Sequence, residues 1–271
     1  LKARHNLNFT IGKQFVNFGG YEYYVNSIRV REFSEFNNLL TAYQAGISGN
    51  WQVSPDHELC FQIVNNRNGN DEDIYPTGLP EGTAKAKIPF MYTVNWNSYY
   101  LDKSLQLRYA TAVGQQTRKR YSYYFTCGNT YEKGPLLTYL DVMYARQGID
   151  QHGVVSRLPG TPHTAMNTEY LSIIGDVDYR VHPQWNVYVK GAYETARVYK
   201  GNGDFRKGMY RRSWNAQSSV EFFPFKQLDL FVFVLYTYRG VILEKAATRM
   251  GAIEPDTHRI SLGLVYSIPV F

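Results

Sequence analysis

Long apolar runs are what this sequence most conspicuously lacks. The longest, Leu230 to Tyr236, has seven residues, far short of the roughly 20 that a membrane-spanning helix needs. A bundle of membrane helices is therefore excluded. Charge is also scarce, at 19% of residues against about 25% in ordinary globular chains. The formal net charge is +6, but the lysines and arginines are scattered among acids and form no basic patch. That argues against a nucleic-acid partner. Cys60 and Cys127 are the only cysteines. They fall on separate expected strands with different facing parity, so neither a disulfide nor a zinc spacing is read from them. Linker-like Pro/Ser runs, blocks of like charge and low-complexity tracts are missing, which leaves one domain over residues 1–271. No leader peptide is read ahead of the first expected strand. This is neutral, because an exported protein is trimmed.

What the sequence has in excess is tyrosine: 24 Tyr beside 15 Phe and 4 Trp. Tyrosine joins an apolar ring to a polar end and suits a boundary between oil and water. The dominant pattern is alternation with a period of two, recurring in segments of some ten to fifteen residues. Trp214, Ala216, Val220 and Phe222 alternate with Ser213, Asn215, Gln217, Ser219 and Glu221. Leu171, Ile173, Val177 and Tyr179 alternate with Ser172, Asp176, Asp178 and Arg180. Twelve strands are expected: 5–13, 40–53, 57–66, 88–98, 104–114, 119–129, 135–146, 169–181, 184–198, 209–223, 226–241 and 256–271. No helical period stands out.

The connections sort by length in turn. Ser54-Pro55-Asp56, Tyr99 to Lys103, Thr130 to Gly134, His182-Pro183 and Pro224-Phe225 are short. Residues 14–39, 67–87, 147–168, 199–208 and 242–255 form a long set, in which only Gly114 to Thr117 is short. A transmembrane barrel with tight turns at one rim and long loops at the other has this pattern. Trp51, Trp96, Tyr99, Tyr100, Trp185, Phe222, Phe223 and Phe225 lie beside the short turns, as an interfacial aromatic girdle does. The expected fold is all-β, an antiparallel transmembrane β-barrel. The alternation places Arg108, Lys190, Arg211 and Arg239 on inward faces with Asp141, Asp176, Glu194 and Glu221. Such mixed charge sets a transverse field and keeps a lumen wet.

Signs of catalysis are weak. Gly46-Ile47-Ser48-Gly49 resembles a nucleophile elbow only superficially, and Ser48 reads better as a lumen-facing hydroxyl. No histidine pairs with a second ligand type at metal-binding spacing. The oxygen-rich run Asn68 to Asp73 lacks the full pattern of a calcium loop. No catalytic residue, metal or cofactor is expected.

The stretch Ile11 to Val30 (IGKQFVNFGGYEYYVNSIRV), then "LCFQIVNNRNG", "YLDVMYARQGID" and the terminal Phe271 together resemble the phosphate-selective porin O and P family, especially its divergent branch in Bacteroidetes. The most specific part is Gly12-Lys13 with Gly19-Gly20-Tyr21-Glu22. The ending also resembles the signal read by the barrel-insertion machinery, although Phe271 is out of phase with the apolar face that closes on Val270. The resemblance implies a sixteen-stranded, usually trimeric barrel in the bacterial outer membrane, narrowed by an inward loop after its fifth strand. If residues 14–39 are that loop, the twelve strands correspond to the fifth through sixteenth; the alternative is a twelve-stranded relative. Lys13, Tyr21, Glu22, Tyr23, Arg29, Arg31, Arg108, Lys190 and Arg239 are the expected constriction and pore-lining residues. Glu22, Glu32 and Glu35 intersperse the loop cations, so the architecture carries over but phosphate specificity does not. The functional expectation is a porin passing small polar or anionic solutes. An accessory barrel subunit of a larger outer-membrane complex, or a barrel hydrolase, are the alternatives. Expected partners are outer-membrane lipid and lipopolysaccharide, the solutes, and a homotrimer or other outer-membrane proteins.

Overall fold

The computed structural model describes residues 2–4, 6–24, 33–39, 43–66, 75, 77–151, 153–225 and 230–267. A single antiparallel sheet runs through the chain in sequence order, each strand bonded to the next. A three-residue strand, β1 (Lys2–Arg4), precedes twelve longer ones: β2 (Leu7–Phe15), β3 (Tyr43–Ser54), β4 (His57–Asn65), β5 (Phe90–Tyr100), β6 (Leu105–Thr117), β7 (Arg120–Lys133), β8 (Leu136–Ile149), β9 (Met166–His182), β10 (Trp185–Val198), β11 (Gly208–Phe222), β12 (Leu230–Leu243) and β13 (Thr257–Tyr266). Among the described residues, no bond joins the first strands to the last. Each of the twelve expected strands has its counterpart, with ends displaced by a few residues. The largest extensions are in β7, which runs on to Lys133 and shrinks its turn to Gly134-Pro135, and in β6 and β7 together, which close on Arg118-Lys119. Phe271 and the run Asn68 to Asp73 lie outside the described residues.

Alternation becomes two chemically opposite faces because successive side chains of a strand point to opposite sides. Inward go Gln62, Thr93, Thr126, Ser172, Lys190, Gln217 and Thr237, all buried. Outward go Ile47, Ile63, Val94, Val189, Val220 and Val234, all exposed. A sheet that exposes its apolar face and buries its polar one is inside out relative to a water-soluble sandwich. This is the arrangement that lipid demands, where the barrel satisfies every backbone group from strand to strand. Trp51, Trp96, Trp185 and Phe225 also face outward near the short turns. Trp185 meets Phe222 at 4.7 Å between ring centres. The two cysteines are free, Cys60 buried and Cys127 only partly so. No helix among the described residues is long and apolar enough to cross a membrane.

Among the described residues, three α-helices, α1 (Tyr21–Tyr24), α2 (Val154–Arg157) and α3 (Lys245–Thr248), each have one turn, and they and the 3-10 turn Glu35–Asn38 lie in long connections. Those connections fold into the concave side of the sheet. There Val16, Phe18, Phe36 and Leu39 of the first long connection join Val155, Leu158 and Ala247 in a common apolar cluster. Curvature is evident from how far the first connection reaches. Asn17 donates its backbone N–H to Gln62 on β4 at 3.0 Å, while Glu35 contacts Arg239 on β12 at 2.5 Å. A connection of that length spans eight strands only if the sheet curls around it.

The third long connection, residues 147–168, is held by Asp150. Its carboxylate accepts from Ser156 Oγ at 2.6 Å, Tyr170 OH at 2.8 Å, Ser156 N at 3.0 Å and Thr168 Oγ1 at 3.2 Å. Burial raises its pKa above the ordinary carboxylate value, and these four hydrogen bonds only partly offset the rise.

Candidate functional site

The entry of the first long connection into the lumen is set by two glycines. Gly19 has φ +116°, a conformation open to glycine and strained for other residues. A Cβ on Gly20 would lie 2.2 Å from Asp141 Cγ, and one on Gly128 would lie 2.7 Å from Gly20 Cα. The backbone can therefore press directly against β7 and β8. Asp141 on β8 then accepts the N–H groups of Tyr21 at 3.0 Å and Glu22 at 2.9 Å. These are the first, otherwise unpartnered donors of α1. Arg108 on β6 donates to the Gly20 carbonyl at 3.4 Å and lies 4.0 Å above the Tyr24 ring.

Glu22 is the hub of the first charge cluster. It is fully buried and forms an ion pair with Lys190 on β10 at 2.6 Å. It also accepts from Ser34 N, from Asn37 Nδ2 at 2.7 Å and from Tyr139 OH at 3.5 Å. Burying a charge is tolerated where it is paired and its remaining lone pairs are bonded, and Glu22 meets both conditions. Tyr21 packs on Tyr139 at 4.7 Å between ring centres. Tyr23 packs among Phe15, Phe18 and Tyr24. Burial, helped by the neighbouring phenols Tyr24 and Tyr43, raises the Tyr23 pKa well above its ordinary value.

The second cluster centres on Glu35. Its carboxylate pairs with Arg211 on β11 and with Arg239 on β12, and its backbone N–H donates to Glu194 Oε1 on β10 at 2.8 Å. From the last long connection, Glu254 reaches the same arginines, accepting from Arg211 Nη2 at 2.8 Å and lying 3.1 Å from Arg239 Nη2. Two guanidiniums thus alternate with two carboxylates across the lumen. Beside them is a cavity of about 400 Å³ lined by Glu35, Glu194, Arg211, Arg239, Glu254 and Arg157, with Asn215 and an apolar side formed by Phe33, Val154, Leu158, Pro159 and Ile253.

Of the nine residues expected at the constriction, Tyr21, Glu22, Tyr23, Arg108, Lys190 and Arg239 meet in this region. Lys13 does not. It pairs with Ala45 in the register that places Ile11 opposite Ile47, so it shares the outer face with Ile11, while its neighbour Gln14 turns inward to Ser48. The period-two rule allows no other outcome once Ile11 faces lipid. Arg29 and Arg31 lie outside the described residues. Asp141, Glu35 and Glu254 were absent from the expected set. Asp141 carried a usable signal, since it stands on an inward position of β8. Glu35 and Glu254 sit in irregular connections, where no periodicity marks a direction.

The model of the phosphate-selective porin O and P family matches residues 2–268. The chain belongs to the phosphate-selective porin O and P family. No curated protein matches it. Among solved structures, the outer membrane channel DcaP of Acinetobacter baumannii aligns with TM-score 0.64 at 13% identity, over 96% of this chain and 72% of that one. The loop L8 deletion mutant of OmpT, an outer membrane protein of Vibrio cholerae, aligns with TM-score 0.57 at 13% identity, over 97% of this chain and 76% of that one. At such identity the likeness concerns the fold alone. Family and fold together make this porin O and P member a bacterial outer-membrane porin of the passive-diffusion kind.

Proposed function

We propose that the first long connection sets the size limit of this porin and that its lumen is only weakly charge-selective. Glu35, set between Arg211 and Arg239, carries this reading. It neutralises the two arginines best placed to attract anions, and Glu254 adds a second negative charge to the same pair. An anion gains little from a guanidinium already held by carboxylates, whereas a neutral polar solute finds hydrogen-bonding walls throughout. The protein is read as non-catalytic, and a homotrimer is its proposed assembly. One related structure, the trimer form of Vibrio cholerae OmpT, is described in that state. Planar-bilayer recording tests the reading: purified protein is expected to give stepwise currents with a small reversal potential in a salt gradient. Strong anion selectivity would overturn the weak-selectivity claim, and absence of current would overturn the open lumen.

A second reading, a barrel serving as an accessory subunit of a larger assembly, draws on the apolar cluster of Phe18, Phe36, Leu39, Val155 and Ala247 inside the sheet. That packing fills part of the lumen with side chains that no water-soluble solute needs.

A further inference from the structure

We propose that the cavity beside Glu35 binds zwitterionic solutes carrying an apolar side chain, namely free α-amino acids or short peptides. The inference rests on the porin reading and specifies a solute class for it. The cavity's 400 Å³ falls within the roughly 300–1,000 Å³ of small-molecule sites. It is placed to meet incoming solute: Glu194, Arg211 and Arg239 each stand near the strand end that joins a long connection.

Its charge is balanced, with Glu35, Glu194 and Glu254 facing Arg157, Arg211 and Arg239. Arg211 and Arg239 are occupied by Glu35 and Glu254. The remaining two charges have capacity to spare. Glu194 is only 7% exposed. Its Oε1 accepts from Ser172 Oγ at 2.8 Å and Glu35 N at 2.8 Å, while no described residue donates to Oε2. It forms no ion pair with a described cation, although a buried carboxylate calls for one. Arg157 ends α2 exposed and likewise has no ion pair among the described residues. One site therefore offers a buried carboxylate for an ammonium and a guanidinium for a carboxylate. A simple anion would meet Glu194 and a simple cation would meet Arg157, each unfavourably. A zwitterion satisfies both. Phe33, Leu158 and Ile253 line the remaining side and favour an aliphatic or aromatic side chain over a polar one.

The test uses the full chain in detergent, with radiolabelled leucine in equilibrium dialysis and, in parallel, leucine titrated against the bilayer current. Isocaproate and isoamylamine, which keep the leucine skeleton but one charge each, are the controls. Leucine is expected to bind saturably and to reduce the current over the same concentrations. Each control should bind about tenfold more weakly, as loss of one charge-assisted hydrogen bond implies. Glu194→Gln should weaken leucine and isoamylamine but spare isocaproate, and Arg157→Gln should weaken leucine and isocaproate but spare isoamylamine. A general disturbance of the fold would not separate the ligands in this way, and the exposed Arg157 is open to replacement without disturbing packing. Equal binding of all three ligands, or current without saturable leucine binding, overturns the inference and leaves the porin reading intact. Leucine binding by a protein that gives no current upholds the site and overturns the porin reading.

Discussion

Lys190 Nζ and Glu22 Oε2 lie 2.6 Å apart, and both side chains are sealed from solvent. This pair joins the first long connection to the middle of β10. It constrains where that connection sits, because the low-dielectric surroundings penalise either charge left alone.

Lys190→Met should therefore destabilise the connection by about 3–5 kcal/mol, the usual cost of stripping one partner from a buried pair. The double variant Lys190→Met with Glu22→Gln should recover much of that loss. Urea unfolding and single-channel noise are the readouts. If the single and double variants are equally impaired, the pair is not what anchors the connection.

Gly20→Ala should displace α1 from β8, since the new Cβ would overlap the Asp141 carboxylate. Overpacking of this kind costs about 1–3 kcal/mol. Asp141 would also lose the Tyr21 and Glu22 amides. Conductance should change while heat-modifiable gel mobility, which reports the folded barrel, is retained. Unaltered conductance would show that the connection does not limit the aperture.

Glu35→Gln and Arg239→Gln should move the reversal potential in opposite directions. The first leaves Arg211 and Arg239 with surplus positive charge and favours anions; the second favours cations. A unit charge at 4 Å in bulk water is worth about 1 kcal/mol, or roughly a fivefold change in permeability ratio. Shifts of the same sign would contradict the placement of these residues beside the permeation path.

Asp150 predicts a pH dependence. Burial raises its folded-state pKa above the ordinary value, so the folded form binds the proton more tightly than the unfolded form does. Stability of the third long connection is then greatest at low pH and falls as pH rises from the ordinary carboxylate value through the elevated one. Hydrogen exchange of amides 153–158, corrected for intrinsic rates, should show less protection at neutral pH than in acid. In Asp150→Asn the slope should vanish. A slope that survives the substitution would assign the effect to another group.

The sheet was legible in the sequence because lipid on one side and polar contacts on the other impose a strict two-residue period. Thr237 and Lys190 could be placed inward, and Val189 outward, by parity alone. The same rule was available for Lys13, whose proximity to the connection obscured the direction set by Ile11. The anchors in the connections were a different matter. Glu35 meets Arg211 and Arg239 only through chain curvature summed over eight strands, which no local pattern encodes. Gly19 and Gly20 announced a bend, but its target, Asp141, lies 121 residues beyond Gly20 by sequence number.

The Glu35–Arg239 contact spans 204 positions of sequence, and closing so long a loop carries an entropic cost that the contact repays only once it is made. Glu35 reaches Arg211 and Arg239 across the curled sheet. Until β11 and β12 stand opposite the β2–β3 connection, neither arginine is there to hold it. The shape of the aperture is therefore a property of the assembled sheet, and the connection alone cannot set it.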